Sequence, residues 1–372
     1  MEFTLTEEQQ QLRSEGLSLA ELVPAPVAGR PVRDDEVVFA ALAGKGVAGA
    51  LLPAQDGGRG LGIADVCALW EGLGEGTTDA SALLALSAHA LLTAVPLWKL
   101  GTGQQRQRYL PRVADGQWVG ALSLHELAGG SSPANRAVTA RPAEDGGWLL
   151  DGAKSQVVNG RQAHHVLITA ATGDGTASAF VLDHDLPGLR FEQTPDGLDR
   201  VVLDGASVPA RALLGAPDAA YRELVPLALA LDATAVLAPW LGIMRALSDR
   251  ALAAALDGRL FGRPVGRFQN VRFAVADMRA QLELSTGVLY RAAWELDAVD
   301  RPGRQDAAVS RLFVTRAARS VVDAATEVLA LAGRFPDPVA EQAARDVAWL
   351  EHAGGGVDQA RSAVAASLAG LG

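Results

Sequence analysis

The feature that most constrains this chain is a change of hydrophobic period. As far as Gly116 the apolar residues recur at helical steps. From Trp118 the segments "WVGALSLHE", "AVTARP", "GWLLDGAKSQVVNG", "HHVLITAAT", "SAFVLDHD", "LRFEQTP" and "DRVVLDGASVP" alternate apolar and polar, with Gly, Asp, Pro and Asn between them. After "ARALLGAP" the helical period returns. Such a chain is α+β, with a helical domain over 1–116, an antiparallel β domain over 117–217 and a helical bundle over 218–372.

Several helix boundaries are legible. Thr6 precedes Glu7, Glu8 and Gln9, a capping pattern with acidic residues at the positive end of the helix dipole. "GIADVCALWEGLGEG" closes on glycines, as helices commonly do. "ELVPLALALDATAVLAPWLGIMRALSDRALAAAL" is apolar nearly all round and predicts one long buried helix. "FQNVRFAVADMRAQLELSTGVLYRAAWELD" and "DAAVSRLFVTRAARSVVDAATEVLALAG" predict two more long helices. In "DVAWLEHAGGGVDQA" a helix meets Gly354, Gly355 and Gly356. Each glycine costs a helix about 1 kcal/mol relative to alanine, so the three mark a break.

A net charge of -10 disfavours nucleic acid, whose phosphates need a basic footprint. The single cysteine, Cys67, offers neither a disulfide framework nor a thiolate metal site. No uncharged apolar run is expected to reach bilayer length, and the first residues are polar and acidic, so the expectation is a cytoplasmic protein without a membrane partner. His164 and His165 sit between a turn and a strand with no third ligand in reach of the sequence, and no metal is expected.

Four motifs, in order, carry a resemblance that runs from end to end. "DGGRGLG", "GGWLLDGAKSQVVNG", "VVLDGASVPARALLG" and "LFGRPVGRFQNVRFAVADM" resemble the "xxGGxGLG", "GYVLNGTKxWITNG", "VxFDDVRVPAxNLLG" and "QFGRPIxxFQAVQxxLADM" of the acyl-CoA dehydrogenase family. The resemblance implies an N-terminal helical domain, a middle antiparallel β domain and a C-terminal four-helix bundle. It implies FAD as cofactor and an acyl thioester, on CoA or on a carrier protein, as substrate. A carboxylate removes the α-proton and the β-hydrogen leaves as hydride. Assembly is implied as a homodimer or homotetramer, or as a hetero-oligomer with a related subunit.

Carried over residue by residue, the resemblance places Leu122, Leu124, His125, Ser131, Gln156, Val158, Arg259, Phe261 and Gln269 at the cofactor. Glu126, Gly130, Ser131, Phe261 and Gln269 keep the family's residue types. His125 replaces a threonine facing the ring, Gln156 a tryptophan and Val158 a threonine. Gly258 stands where the family's arginine reaches a partner's pyrophosphate, and Arg259 is its neighbour. Glu327 to Leu331 replace a glutamine and small residues, so a leucine is expected to fill space there and an acid to face phosphate. The usual base position falls on Gly354. Some relatives carry the base on the long buried helix, at Asp232 here, where burial of a carboxylate suits either a base or an acceptor for a neighbouring Arg or Tyr. The two positions that assist CoA binding are Ala230 and Ala233. Glu351 and His352 read first as a solvated helix end and second as acid or base. His125 remains a second catalytic candidate.

Two readings stay open at this point. The first is an FAD-dependent oxidoreductase of an acyl thioester. The alternative is a flavin-free homologue on the same fold, either a non-redox catalyst in the vacated cavity or a non-catalytic partner subunit.

Overall fold

The computed structural model describes residues 4–23, 36–124, 138–194, 198–298, 304–352 and 356–369. The readings placed on His125, Glu126, Gly130, Ser131, Gly354 and Gly355 lie outside the described residues. The first third holds α1 (Glu7–Leu19), α2 (Glu36–Leu42), α3 (Ile63–Thr77), α4 (Ala80–Ser87), α5 (Val95–Leu100) and α6 (Gly103–Ala114). Then come β1 (Gly120–Ser123), β2 (Val138–Pro142), β3 (Trp148–Val157), β4 (His165–Gly173), β5 (Thr176–Asp183), β6 (Leu189–Gln193), β7 (Asp199–Val208) and β8 (Leu213–Leu214). The last third holds α7 (Leu224–Asp232), α8 (Ala238–Asp257), a short hairpin of β9 (Arg259–Leu260) and β10 (Arg263–Pro264), α9 (Gln269–Ala298), α10 (Arg304–Leu331), α11 (Pro338–Leu350) and α12 (Gly356–Leu368).

Contacts group these elements into two compact units. The first comprises Met1–Pro31, Gly62–Leu83 and Ala233–Gly372; the second comprises Val32–Leu61 and Leu84–Asp232.

In the first unit α3 lies between α1 and α8, and α10 packs on α8, α9, α11 and α12. The capping box at Thr6 is formed in both directions, Gln9 N–H to Thr6 Oγ1 and Thr6 N–H to Gln9 Oε1, each 3.2 Å. The glycines of α3 do not end it. Gly72, Gly74 and Gly76 lie inside a helix that runs to Thr77. A Cβ on Gly72 would overlap the Arg13 carbonyl of α1, and one on Gly74 the Pro239 carbonyl of α8. These positions lack side chains because backbones meet there, so a helix-ending pattern here marks close packing instead.

The triple glycine does separate two helices. Gly356 opens α12 with φ 68°, and a Cβ on it would sit 2.6 Å from the Glu351 carbonyl oxygen. Only glycine takes that turn without strain.

In the second unit the sheet order is β6-β7-β3-β2-β4-β5-β8, with β1 also on β4. Its ladders are antiparallel except two, β1 with β4 and β2 with β4. Side chains of β4 alternate between two apolar clusters. Leu167 joins Leu110 and Val113 of α6 and Leu224 of α7, while Val166 and Ile168 join Leu150, Phe180 and Val201.

The predicted long helix after Glu223 is broken. α7 ends at Asp232, Thr234 takes φ -130° and ψ -91°, and α8 begins at Ala238. Leu83–Leu100 and Leu224–Asp257 are long and apolar enough to cross a membrane by length and composition, but both carry charged residues and both are mostly buried, as core helices are.

Candidate functional site

Strands β1 and β2 lie end to end along the same edge of β4. Residues Gly120 to Ser123 pair with His165 to Ile168, and Thr139 pairs with Ala171. Between them lies a seam, bordered by Leu124 at the end of β1 and Thr169 on β4. Strand β3 runs past it, because Gly152 is already opposite Val138, the first residue of β2.

The sequence-nominated residues of the second unit gather around this seam. Leu122 is half-buried opposite Leu167, and Leu124 is buried. Strand β3 carries a register shift between Lys154 and Val157, where Gln156 takes φ 56° and stands exposed. Bulges of this kind re-aim side chains and are frequent beside active sites. Val158 is half-buried in the turn that follows.

Four residues of the neighbourhood escaped sequence reasoning. Lys154 Nζ donates to the Leu124 carbonyl at 3.2 Å and to Thr169 Oγ1 at 3.1 Å. Asn159, in the left-handed region, donates its amide to the Ala85 carbonyl at 2.8 Å and the Gly120 carbonyl at 3.4 Å, tying the turn to the start of β1. His89 accepts the Gly120 N–H on Nδ1 at 3.0 Å, so its Nε2 carries the proton and donates to the Val113 carbonyl at 2.9 Å. Ser123 Oγ is buried with no hydrogen-bond partner. The motif "GAKSQVVNG" carried a signal for Lys154 and Asn159; nothing local marked His89 or Ser123.

His164 and His165 part company. His164 stacks on Trp118 with ring centroids 6.0 Å apart, and its Nδ1 accepts the Val119 N–H. His165 is fully buried, and neither ring nitrogen has a hydrogen-bond partner. Burial, then the neighbouring His89 and His164, pushes its pKa down to about 3. Burial likewise takes His89 down to about 4. Both rings are neutral at pH 7. Among the described residues no three His, Cys, Asp or Glu side chains come together as a metal site.

In the first unit, Arg259, Phe261 and Gln269 are exposed on the hairpin and the start of α9. Phe261 takes φ 50° and Gly262 φ 76°, the mirror-image turn that suits two-residue hairpins. A phenylalanine in that conformation is strained by about 1 kcal/mol or more, and its side chain is 88% exposed. Gly258 closes α8 with Ala332 so near that a Cβ would fall 2.9 Å from the Ala332 Cβ. An arginine at 258 therefore has no room. Along the last turns of α10, Glu327 and Ala330 are exposed and Leu331 is half-buried.

Asp232 is half-buried at the C-terminal end of α7, immediately before the helix break. Glu351 is held by Arg319 through two contacts of 3.2 and 2.7 Å, and this pairing keeps its carboxyl below the ordinary range. His352 is exposed, with Nδ1 near the Ala348 carbonyl. That pair behaves as an ion-paired helix end.

Two exposed groups suit a flavin, each within its own unit: the Gln156 amide beside the seam in the second, and the solvent-facing ring of Phe261 on the hairpin in the first.

Two protein-family models match the chain. One described as "Acyl-CoA dehydrogenase, N-terminal domain" matches residues 6–117, and one described as "Acyl-CoA dehydrogenase, C-terminal domain" matches 224–369. The "Probable acyl-CoA dehydrogenase YngJ" of Bacillus subtilis is 29% identical over 99% of this chain and 100% of its own length. The "L-prolyl-[peptidyl-carrier protein] dehydrogenase" of Pseudomonas fluorescens is 30% identical over 75% of this chain and 76% of its own. Among solved structures, butyryl-CoA dehydrogenase from Megasphaera elsdenii superposes with a TM-score of 0.90 at 25% identity, covering 99% of this chain and 100% of that one.

Proposed function

Because the chain belongs to the acyl-CoA dehydrogenase family, we propose that it is an FAD-dependent dehydrogenase of an acyl thioester. It takes a proton from the carbon beside the thioester and a hydride from the next carbon. The observation that carries the cofactor half is Phe261. Its turn strains the backbone and leaves a phenyl ring in water, an arrangement that makes sense when a flat aromatic group covers the ring.

FAD, when bound, accepts the hydride. Leu122, Leu124, Gln156 and Val158 of the second unit would hold it, and the family resemblance assigns Arg259, Phe261 and Gln269 of the first unit to a cofactor as well. Asp232 takes the α-proton. The named relatives act on CoA and on carrier-protein thioesters, and the thioester class is what this reading fixes. It extends to a homo-oligomer, supported by Phe273, Leu284 and Trp294, three large apolar side chains exposed along α9.

The purified protein is expected to show flavin absorbance that bleaches when an acyl thioester is added without air. A colourless preparation that added FAD does not restore overturns the cofactor. Asp232→Asn is expected to slow exchange of the α-proton with deuterated solvent by about a hundredfold or more, with FAD binding unchanged; exchange at the wild-type rate removes Asp232 as base.

A further inference from the structure

Among the described residues, one charged side chain bridges the seam in the sheet. Lys154 is 1% exposed, and it reaches from β3 to Leu124, just past β1, and to Thr169 of β4 at once. Leu124 needs such a donor. It stands beyond the last pair of the β1–β4 ladder, Ser123 with Ile168, and its carbonyl is buried with a residue that is itself 6% exposed. A buried carbonyl left unpaired costs about 1–3 kcal/mol. Thr169 lies one step further along β4, between the two parallel ladders.

The choice of residue is informative. The chain holds three lysines against thirty arginines, yet the side chain buried here is a lysine. An ammonium is a compact point donor, whereas a guanidinium is a broad planar fork. Taking an ammonium out of water is expensive unless its surroundings hold it. Met or Leu would pack the same volume without that penalty, so the charge marks a requirement beyond filling space.

We infer that Lys154 is a positioning residue for the cofactor edge of the sheet: it fixes the Leu124 carbonyl at the end of the β1–β4 ladder. The inference rests on the FAD reading above. Two structural facts support it. The residues nominated at the cofactor lie on both sides of the pin: Leu122 on β1 and Leu124 just after it, Gln156 near the end of β3 and Val158 in the turn that follows. The register shift of β3 begins at Lys154 itself, so one side chain sets the strand end and anchors the bulge. Its charge also has a chemical consequence. In a low-dielectric interior a cation acts over longer distances than in water, and it favours the more negative state of a group bound at the strand end. A reduced flavin is such a state.

Lys154→Met tests this with FAD titrated into apoprotein and with the midpoint potential of the bound flavin. The expected result is FAD binding at least tenfold weaker and a lower potential, with the variant still folded. Thr169→Val, which keeps the charge and removes one of its supports, is expected to weaken FAD binding about threefold and leave the potential where it was; it serves alone if Lys154→Met does not fold. A lysine with a merely structural role lowers the melting temperature of the apoprotein and moves neither FAD affinity nor potential, and that outcome overturns the inference. Wild-type FAD affinity in a folded Thr169→Val protein also overturns it. A wild-type protein that takes up no FAD at all overturns the cofactor reading, and this inference with it.

Discussion

The two units differ in how many helices meet at one buried charge and in how many buried groups stay neutral. In the first, Glu71 of α3 is 1% exposed and is surrounded by partners from three other helices. Arg245 of α8 donates to Oε1 at 2.8 Å, Tyr290 of α9 donates to Oε2 at 2.8 Å, and Arg13 of α1 lies 3.2 Å from Oε1 while also bonding Glu75. The second unit buries charge too, at Lys154 and at Asp199, which Arg161 meets at 2.9 Å, but beside these stand His89 and His165, held neutral by burial, one with two hydrogen bonds and the other with none. A charge network fixes helices in register, because each partner must arrive at one place.

The largest break in this contrast is Glu71→Ala. It leaves Arg13 and Arg245 facing each other without their carboxylate, and urea unfolding is expected to show a loss of about 3–5 kcal/mol. Gly72→Ala comes next. Its Cβ overlaps the Arg13 carbonyl and pushes α1 from α3, for a net loss of about 2 kcal/mol after the better helix propensity of alanine is counted. Loss of cooperativity without loss of midpoint would show that the network does not depend on that close approach.

The smallest effect is a slope with pH. His89 and His165 titrate near 6.5 when unfolded and near 4 and 3 when folded, so between about pH 4 and 6.5 the unfolded chain binds up to two more protons and acid destabilises the fold. Asp346, in the first unit, acts in the other sense. Burial and the nearby Asp79 push its carboxyl up to about 7, although Gln342 and the N–H groups of Ala80 and Ser81 bond to it. The folded chain then binds one more proton than the unfolded chain between about pH 4 and 7, and that contribution is lost as pH rises. The net is one proton, so stability should rise by at most about 1.4 kcal/mol per pH unit across that window. Asp346→Asn is expected to steepen this slope towards twofold, and His165→Leu to flatten it. Equal slopes in all three proteins would show that these groups do not titrate with folding.

Much of the fold could be read in the residues. The capping box at Thr6 and the break at Gly356 are local events, set by residues within a turn of each other, and both are in the structure. The break after Asp232 was invisible, because no glycine or proline lies at Ala233 or Thr234. The glycines of α3 were legible as punctuation only; their actual role needs α1 and α8 beside them. The site divides along the same line. Motif order pointed to Gln156, Val158 and Phe261, but Glu71 with Arg13, Arg245 and Tyr290, or Lys154 with Leu124 and Thr169, are meetings of distant positions, and spacing along the chain carries no record of them.

The approach of Gly258 to Ala332 makes position 258 intolerant of any side chain. An added Cβ would lie 2.8 Å from the Ala254 oxygen and 3.0 Å from the Ala332 Cα, so backbone, and not only a side chain, stands in the way. A charge engineered at this corner of the first unit has to wait until the segment after α10 is moved, or be placed on the neighbouring hairpin, where Arg259 is exposed.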